Sequence, residues 1–277
     1  MDSRQSSGRP RRRPLINRHA LTDTTHASDA LGVLGAIVHP LGDAARLAGT
    51  VYRGGRRLGG FEVVTDEDAT AMQANVDLAR FGPGETPRPD RGRGASGGDG
   101  CGCDRDGPTE AGDEPRLAVK PGGYLVLHVS WGAPGYRVTL AEPAEKEAKT
   151  VFDSARLGSG DLFALTLLRP GRYAVRVGKG EGRGEIRVAY PAPGRKARKA
   201  EAPARVALED GELRPAEVEV DPAQGVVFEI RDQKTAIAVE LTDPDDGPAE
   251  GKTKGPAGPE TRLRRRTRRA PNPEKRG

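Results

Sequence analysis

The chain has 277 residues, of which 38 are glycine, 23 are proline, 31% are charged and only 35% are apolar. This composition excludes a chain that is packed along its whole length, because segments with few apolar residues cannot offset the entropy lost on ordering. The formal net charge of +5 conceals two arginine-rich ends, so local charge is more informative here than net charge.

The N-terminal range 1–28 and the C-terminal range 243–277 lack periodic apolar residues, and both are predicted to be disordered basic tails. Arginine runs at 9–13 and 262–269 carry most of their charge. Such runs also contact the phosphates of nucleic acids and other polyanions. The candidate contact residues are Arg11, Arg12, Arg13, Arg264, Arg265, Arg266, Arg268 and Arg269.

Residues 29–81 predict a small α+β segment. Apolar residues from Leu31 to Ala48 recur at three-to-four spacing after a Ser28-Asp29 cap, which is typical of a helix, and Pro40 is expected to kink it. The run TVYRGGRRLGGFEVV predicts a hairpin around paired glycines. Thr65 and Asp68 are spaced like a capping box, which predicts a second helix through AMQANVDLARF.

Glycine, proline and charge dominate residues 82–115, which predicts a flexible linker. Both cysteines of the chain, Cys101 and Cys103, lie in it. A disulfide across one intervening residue would be strained, and one Cys-x-Cys pair supplies half of a tetrahedral metal site. We expect incidental linker cysteines, and metal handling by Cys101 and Cys103 is the distant alternative.

Residues 116–190 contain short alternating β-prone segments separated by glycine, proline and charge, which is the pattern of an antiparallel β-sandwich. A basic linker at 191–203 leads to a second, partial β domain at 204–242. The range 119–140 aligns without a gap to 220–241, so this partial domain is interpreted as an internal repeat of the first.

Alternation along these strands predicts which side chains are buried. Leu125, Leu127 and Val129 are apolar, as are Val226, Phe228 and Ile230 at the aligned positions, so both sets should point inward. His128 aligns with Glu229 and should point outward. We therefore interpret His128 as an exposed strand residue and not as a ligand or base.

The segments VKPGGYLVLHVSWGAPGYRV and PGRYAVRVGKGEGRGEIRV together resemble the cupredoxin-like, or blue copper, fold. The resemblance implies a Greek-key antiparallel β-sandwich, with an immunoglobulin-like sandwich as the alternative. It also implies where copper ligands would stand. Tyr136 occupies a histidine-ligand position, with Ile237 in the repeat; Val177 occupies the cysteine position, and the loop 178–183 contains neither His nor Met.

A type 1 copper site needs a thiolate and imidazoles, so the resemblance implies a copper-free scaffold, and we expect no cofactor and no metal. We expect no catalysis either, because no nucleophile has a histidine nearby to activate it. The prediction is a non-catalytic structural or protein-binding accessory protein. Binding of nucleic acid or another polyanion through the arginine tails is the alternative.

We expect a protein partner or self-assembly, and we identify no small-molecule substrate. No stretch reaches the roughly 18 to 20 apolar residues of a membrane span. The apolar run 31–38 is short and far from the N-terminal arginines, unlike a signal peptide. A cytoplasmic location is therefore expected.

Overall fold

The computed structural model describes residues 22–43, 45–82, 114–144, 147–178, 182–189, 202–231 and 234–245. As predicted, this part of the chain is mainly β. Two short 3-10 helices, Ser28–Ala30 and Leu78–Phe81, accompany the strands. The strands are β1 (Thr25–Ala27), β2 (Gly35–Pro40), β3 (Arg46–Arg53), β4 (Arg56–Thr65), β5 (Gln73–Asp77), β6 (Arg116–Val119), β7 (Tyr124–His128), β8 (Tyr136–Glu142), β9 (Lys149–Asp153), β10 (Leu162–Thr166), β11 (Gly171–Val177), β12 (Gly182–Val188), β13 (Ala204–Glu209), β14 (Glu212–Arg214), β15 (Glu217–Val220), β16 (Gly225–Ile230) and β17 (Ile237–Pro244).

The strands form three open sheets. A seven-stranded sheet has the order β14-β13-β16-β10-β2-β7-β5, and the two five-stranded sheets have the orders β1-β17-β11-β12-β15 and β6-β4-β3-β8-β9. Each sheet has one face of alternating buried residues, and these residues form a single apolar cluster. The two five-stranded sheets therefore cover the same face of the seven-stranded sheet.

The two halves of the described chain have the same strand pairings. The β3–β4 hairpin is flanked by β8 and by parallel β6, and the β11–β12 hairpin is flanked by β17 and by parallel β15. In the seven-stranded sheet, β7 lies between antiparallel β2 and parallel β5, as β16 lies between antiparallel β10 and parallel β13. An approximate two-fold axis therefore relates the halves.

This axis passes between the central strands β2 and β10. These strands pair antiparallel, with Ile37 opposite Phe163, and both side chains are fully buried. The first strand of each half lies outside its own half, because β1 pairs with β17 and β9 pairs with β8. Each half thus completes a sheet of the other.

The predicted helix from Leu31 to Ala48 is wrong. This range contains β2 and the start of β3, and its buried residues alternate, with Leu31, Val33 and Ile37 inside. Apolar residues were dense enough here to fit either a helical or an alternating pattern. The segment forms a strand because β2 pairs with β10 on one edge and with β7 on the other, and Pro40 ends that strand instead of kinking a helix.

The second predicted helix is also wrong, whereas the hairpin between the two is confirmed. Residues 73–77 form β5, which joins the edge of the seven-stranded sheet, and only Leu78–Phe81 turns helically. Thr65 does not cap a helix; its Oγ1 accepts a 2.7 Å hydrogen bond from the Ala45 amide. The β3–β4 hairpin turns at Gly54 and Gly55, both with positive φ.

The inward alternation predicted for β7 and β16 is confirmed. Leu125, Leu127 and Val129 are buried, as are Val226, Phe228 and Ile230. The range 116–190, however, is not a self-contained sandwich, because its strands lie in all three sheets and pair with strands from 22–82 and 202–245. The predicted α+β segment and partial β domain are likewise built into these shared sheets. The predicted tails 1–28 and 243–277 are wrong at their inner ends, because Thr25–Ala27 forms β1, which pairs with β17, and β17 itself extends to Pro244. The rest of both tails lies almost wholly outside the described residues.

Two aligned turns differ in a way that predicts a stability effect. Gly122 has φ 71° and the aligned Ala223 has φ 68°, a conformation that costs an L-residue about 1–2 kcal/mol. Ala223→Gly is therefore expected to raise the free energy of unfolding by up to about 1 kcal/mol after the entropic cost of glycine. Urea denaturation measures it. Gly122→Ala is the matched control and should lower stability similarly; equal signs for the two changes would contradict the prediction.

Candidate functional site: the open face of the seven-stranded sheet

The outward face of the seven-stranded sheet has an apolar centre that no other sheet of the described residues covers. Its centre consists of two adjacent rows of side chains that cross β16, β10, β2 and β7, and we call these eight residues the open face. The first row is Val227, Ala164, Ala36 and His128, and the second row is Glu229, Leu162, Val38 and Val126.

All eight side chains are partly exposed, and six of them are apolar. They follow from strand alternation, since the intervening residues of the same strands point into the core. Polar residues border this centre at Arg205 on β13 and at Asn75 on β5. An apolar centre with a polar border is the usual composition of a protein-binding surface.

The approximate two-fold axis relates the two rows, but it relates small residues to larger ones. Ala36 corresponds to Leu162, and Ala164 corresponds to Val38, because Ile37 and Phe163 lie on the axis. One row further out, Gly225 on β16 corresponds to Tyr124 on β7. The three small residues, Ala36, Ala164 and Gly225, leave a shallow depression of about 350 Å³. At the position related to Gly225 by the axis, Tyr124 is 38% exposed.

His128 lies at the rim of this depression. The prediction that it points away from the core is confirmed, since its neighbours Leu127 and Val129 are buried and it is not. Its surroundings in the depression are Ala36, Thr166 and Val227, together with other apolar residues. These lining residues include no carboxylate or second imidazole. Asp77 of β5 is the strand partner of His128, but its carboxylate accepts hydrogen bonds from the Ala79 amide and from the amide and hydroxyl of Ser130.

A largely buried polar cluster, separate from the open face, joins β2 to the turn before β10. The carboxylate of Asp161, which is 3% exposed, lies 2.6 Å from Nδ1 of His39 and accepts a 2.7 Å hydrogen bond from the Gly158 amide. The His39 ring also packs on Phe152, with centroids 4.7 Å apart. The cluster ties three elements together, and among the described residues no nucleophilic side chain is bonded to it.

The positions that the cupredoxin resemblance assigned to copper ligands are far apart in the sheet order. Tyr136 is buried in β8 of one five-stranded sheet, and Val177 is buried in β11 of the other. Within the described ranges, no group of three or more His, Cys, Asp or Glu side chains is placed to hold a metal ion. In the same ranges, no helix has the length and apolar character needed to cross a bilayer.

The candidate metal-binding cysteines and the candidate polyanion-contact arginines lie outside the described part of the chain. These are the two cysteines and the eight tail arginines: Cys101, Cys103, Arg11, Arg12, Arg13, Arg264, Arg265, Arg266, Arg268 and Arg269. The open face itself was missed by sequence reasoning, because the segment that supplies Ala36 and Val38 was predicted to be helical. The signal that could have found it is the alternation of Leu31, Val33, Gly35 and Ile37.

Burial of His26 in β1 predicts a pH-dependent stability. Desolvation lowers the pKa of His26 below its ordinary value of 6.5, although the charge of Asp23 acts in the opposite direction. The unfolded chain therefore binds the proton more readily, so stability is complete above pH 6.5 and declines as pH falls from 6.5 towards the lowered pKa. The unfolding temperature should fall between pH 7 and pH 5.

The His26→Phe variant tests this assignment, because it should show a smaller fall in unfolding temperature over the same pH range. His128→Gln is the control, since it removes an imidazole from the open face and leaves β1 intact. Equal pH dependence in the His26→Phe variant and in the unmodified chain would contradict the role of His26.

Comparisons of this chain with protein-family models, with curated proteins and with solved structures found no match in any of the three.

Proposed function

We propose that the chain is a non-catalytic structural or protein-binding accessory protein, built on a copper-free cupredoxin-like scaffold, and that it binds its partner through the open face. The observation that carries this proposal is the partly exposed apolar centre of the seven-stranded sheet. Contiguous apolar patches larger than a few hundred Å² are uncommon on the surface of monomeric proteins and usually mark interaction sites.

The chemistry of the open face favours a protein over a small molecule. Its depression is shallow and has few polar side chains at its rim, whereas a small-molecule pocket encloses most of its ligand and directs several polar groups at it. The face is also broad and lies on the central strands of a sheet, which suits a partner with a complementary flat surface.

The test is capture of partners by the full-length chain in extracts of its native host, compared with two variants. Ala164→Arg places a charge at the centre of the open face, and Ala174→Arg places one on the outward side of β11, which is similarly exposed. We expect at least one protein to be recovered by the unmodified chain and by Ala174→Arg but lost with Ala164→Arg. Identical recovery by all three would contradict the proposal.

Polyanion binding is the second candidate, and the arginine runs at 9–13 and 262–269 favour it. The same capture experiment separates it from the first. Nucleic acid bound by tail arginines should be released steeply as salt rises, and it should be insensitive to Ala164→Arg. Recovery of nucleic acid alone, with that salt dependence, would favour this second function.

A further inference from the structure

We propose that the partner of the open face is a second copy of this chain, and that two copies stack their seven-stranded sheets face to face about a two-fold axis. This inference rests on the proposed function, since it names the occupant of the same surface. Three observations carry it: the alternation of large and small residues on the central strands, the separation of like charges, and the extent of the face.

The central strands each carry one small and one larger side chain on the open face. On β2 these are Ala36 and Val38, and on β10 they are Ala164 and Leu162. The small pair lies in one row and the larger pair lies in the next row. A flat face of this kind is self-complementary only if the larger row of one copy meets the small row of the other.

An axis that lies in the face and runs across the strands, between the two rows, produces that match. It places Leu162 of one copy over Ala164 of the other, and Val38 over Ala36. Because the axis is two-fold, each contact occurs twice, which is the isologous arrangement of most symmetric dimers. The strands of the two sheets then run roughly along each other, as in aligned sheet packing.

The same axis keeps like charges apart. It places Glu229 over Val227 of the other copy, and His128 over Val126, so neither charged nor titratable side chain of the face meets its own equivalent. Glu229 also keeps its 2.9 Å ion pair with Arg205 at the border. An axis that ran through Glu229 instead would bring two carboxylates together, which is unfavourable.

The open face and its polar border together are close to the size that a stable dimer needs. They span six strands, from β13 to β5, over about five residues of each strand; at about 4.8 Å between strands and 3.3 Å per residue this gives a flat area of roughly 500 Å². Side-chain relief increases the accessible area beyond this value. Stable interfaces begin at about 600 Å² per partner.

The first measurement is the molar mass of the full-length chain in solution, by light scattering during gel filtration. We expect twice the 29.4 kDa mass of one chain. Ala164→Arg should raise the dissociation constant at least about 100-fold, because two unpaired charges would be buried in the interface. Ala174→Arg should leave the dimer unchanged, and circular dichroism should show that both variants are folded.

A swap of residues on β10 tests the axis itself. Ala164→Leu places two large side chains opposite each other and should weaken the dimer about 10-fold or more, although it adds apolar surface. The double variant Leu162→Ala with Ala164→Leu restores a large side chain opposite a small one and should recover most of the affinity. Nonspecific apolar association would instead strengthen with Ala164→Leu.

Two results would overturn the inference: a molar mass of one chain at every concentration up to about 100 μM, or a dimer that Ala164→Arg leaves intact. Neither result alone removes the proposed function. A monomeric chain that still loses a host protein with Ala164→Arg would use the open face for a different partner. Failure of both experiments would remove the function as well.

Discussion

Phe163→Ala is expected to lower the free energy of unfolding by about 3–5 kcal/mol, the range for removing a fully buried aromatic side chain. Phe163 is 0% exposed and lies on the approximate two-fold axis, opposite Ile37. Its ring stacks on Phe228, with centroids 6.1 Å apart. Among the described sheets, the seven-stranded sheet alone takes its central strands from both halves, and β10 is one of them. The cavity would therefore lie where the halves join.

Chemical denaturation measures this effect, and Leu162→Ala is the matched control. Leu162 is the preceding residue of the same strand and points to the open face, so its truncation should cost below about 1 kcal/mol in the monomer. A double-mutant cycle with Phe228→Ala should show a coupling of about 0.5–1.5 kcal/mol. Equal costs at residues 162 and 163 would contradict the assigned strand faces.

Asp161→Ala is expected to lower the free energy of unfolding by about 3 kcal/mol, since it removes two hydrogen bonds to a charged acceptor. The substitution leaves Nδ1 of His39 and the Gly158 amide, both partly buried, without this acceptor. The turn before β10 would then lose its attachment to β2. Thermal and urea unfolding of the two proteins provide the measurement.

Two variants show whether the expected loss of stability comes from burial of the carboxylate or from loss of an ion pair alone. Glu62→Ala removes a pair with Arg46 of the same 2.6 Å length, but on the exposed side of a sheet, so it should cost below about 1 kcal/mol. Asp161→Asn keeps one carbonyl acceptor and should fall between the two. A cost for Asp161→Ala as small as that for Glu62→Ala would show that the cluster is not a structural link.

The strand positions in β7 and β16 could be predicted because the information is local. Apolar residues occur at every second position in both strands, at Leu125 and Leu127 and at Val226, Phe228 and Ile230. This pattern specifies the buried side of each strand, whichever strand it pairs with. The same holds for the β3–β4 hairpin, whose turn needs positive φ at two positions that glycine occupies. The helix predicted for 31–48 was wrong because its apolar residues fitted both periods, and the helix predicted for 71–81 was wrong because it rested on a capping-box spacing that Thr65 does not use to cap a helix.

The candidate site could not be predicted in the same way. Ala36 and Ala164 become neighbours on the open face only because β2 pairs with β10, and these strands are more than a hundred residues apart in the chain. The amide of Ile237 likewise donates to Oγ of Ser28, which lies beside β1. Such pairings depend on which edges remain free once the other strands have docked.

By itself, therefore, the sequence determined that residues 116–242 are β-rich and which side chains of several strands point inward, because these properties depend on neighbours along the chain. Only the tertiary structure decided that three sheets share the strands of both halves, that β1 and β9 complete sheets of the opposite half, and that the described residues leave one face of the seven-stranded sheet uncovered. The physical reason is that strand pairing satisfies backbone hydrogen bonds between distant segments, and local side-chain patterns do not specify the partner.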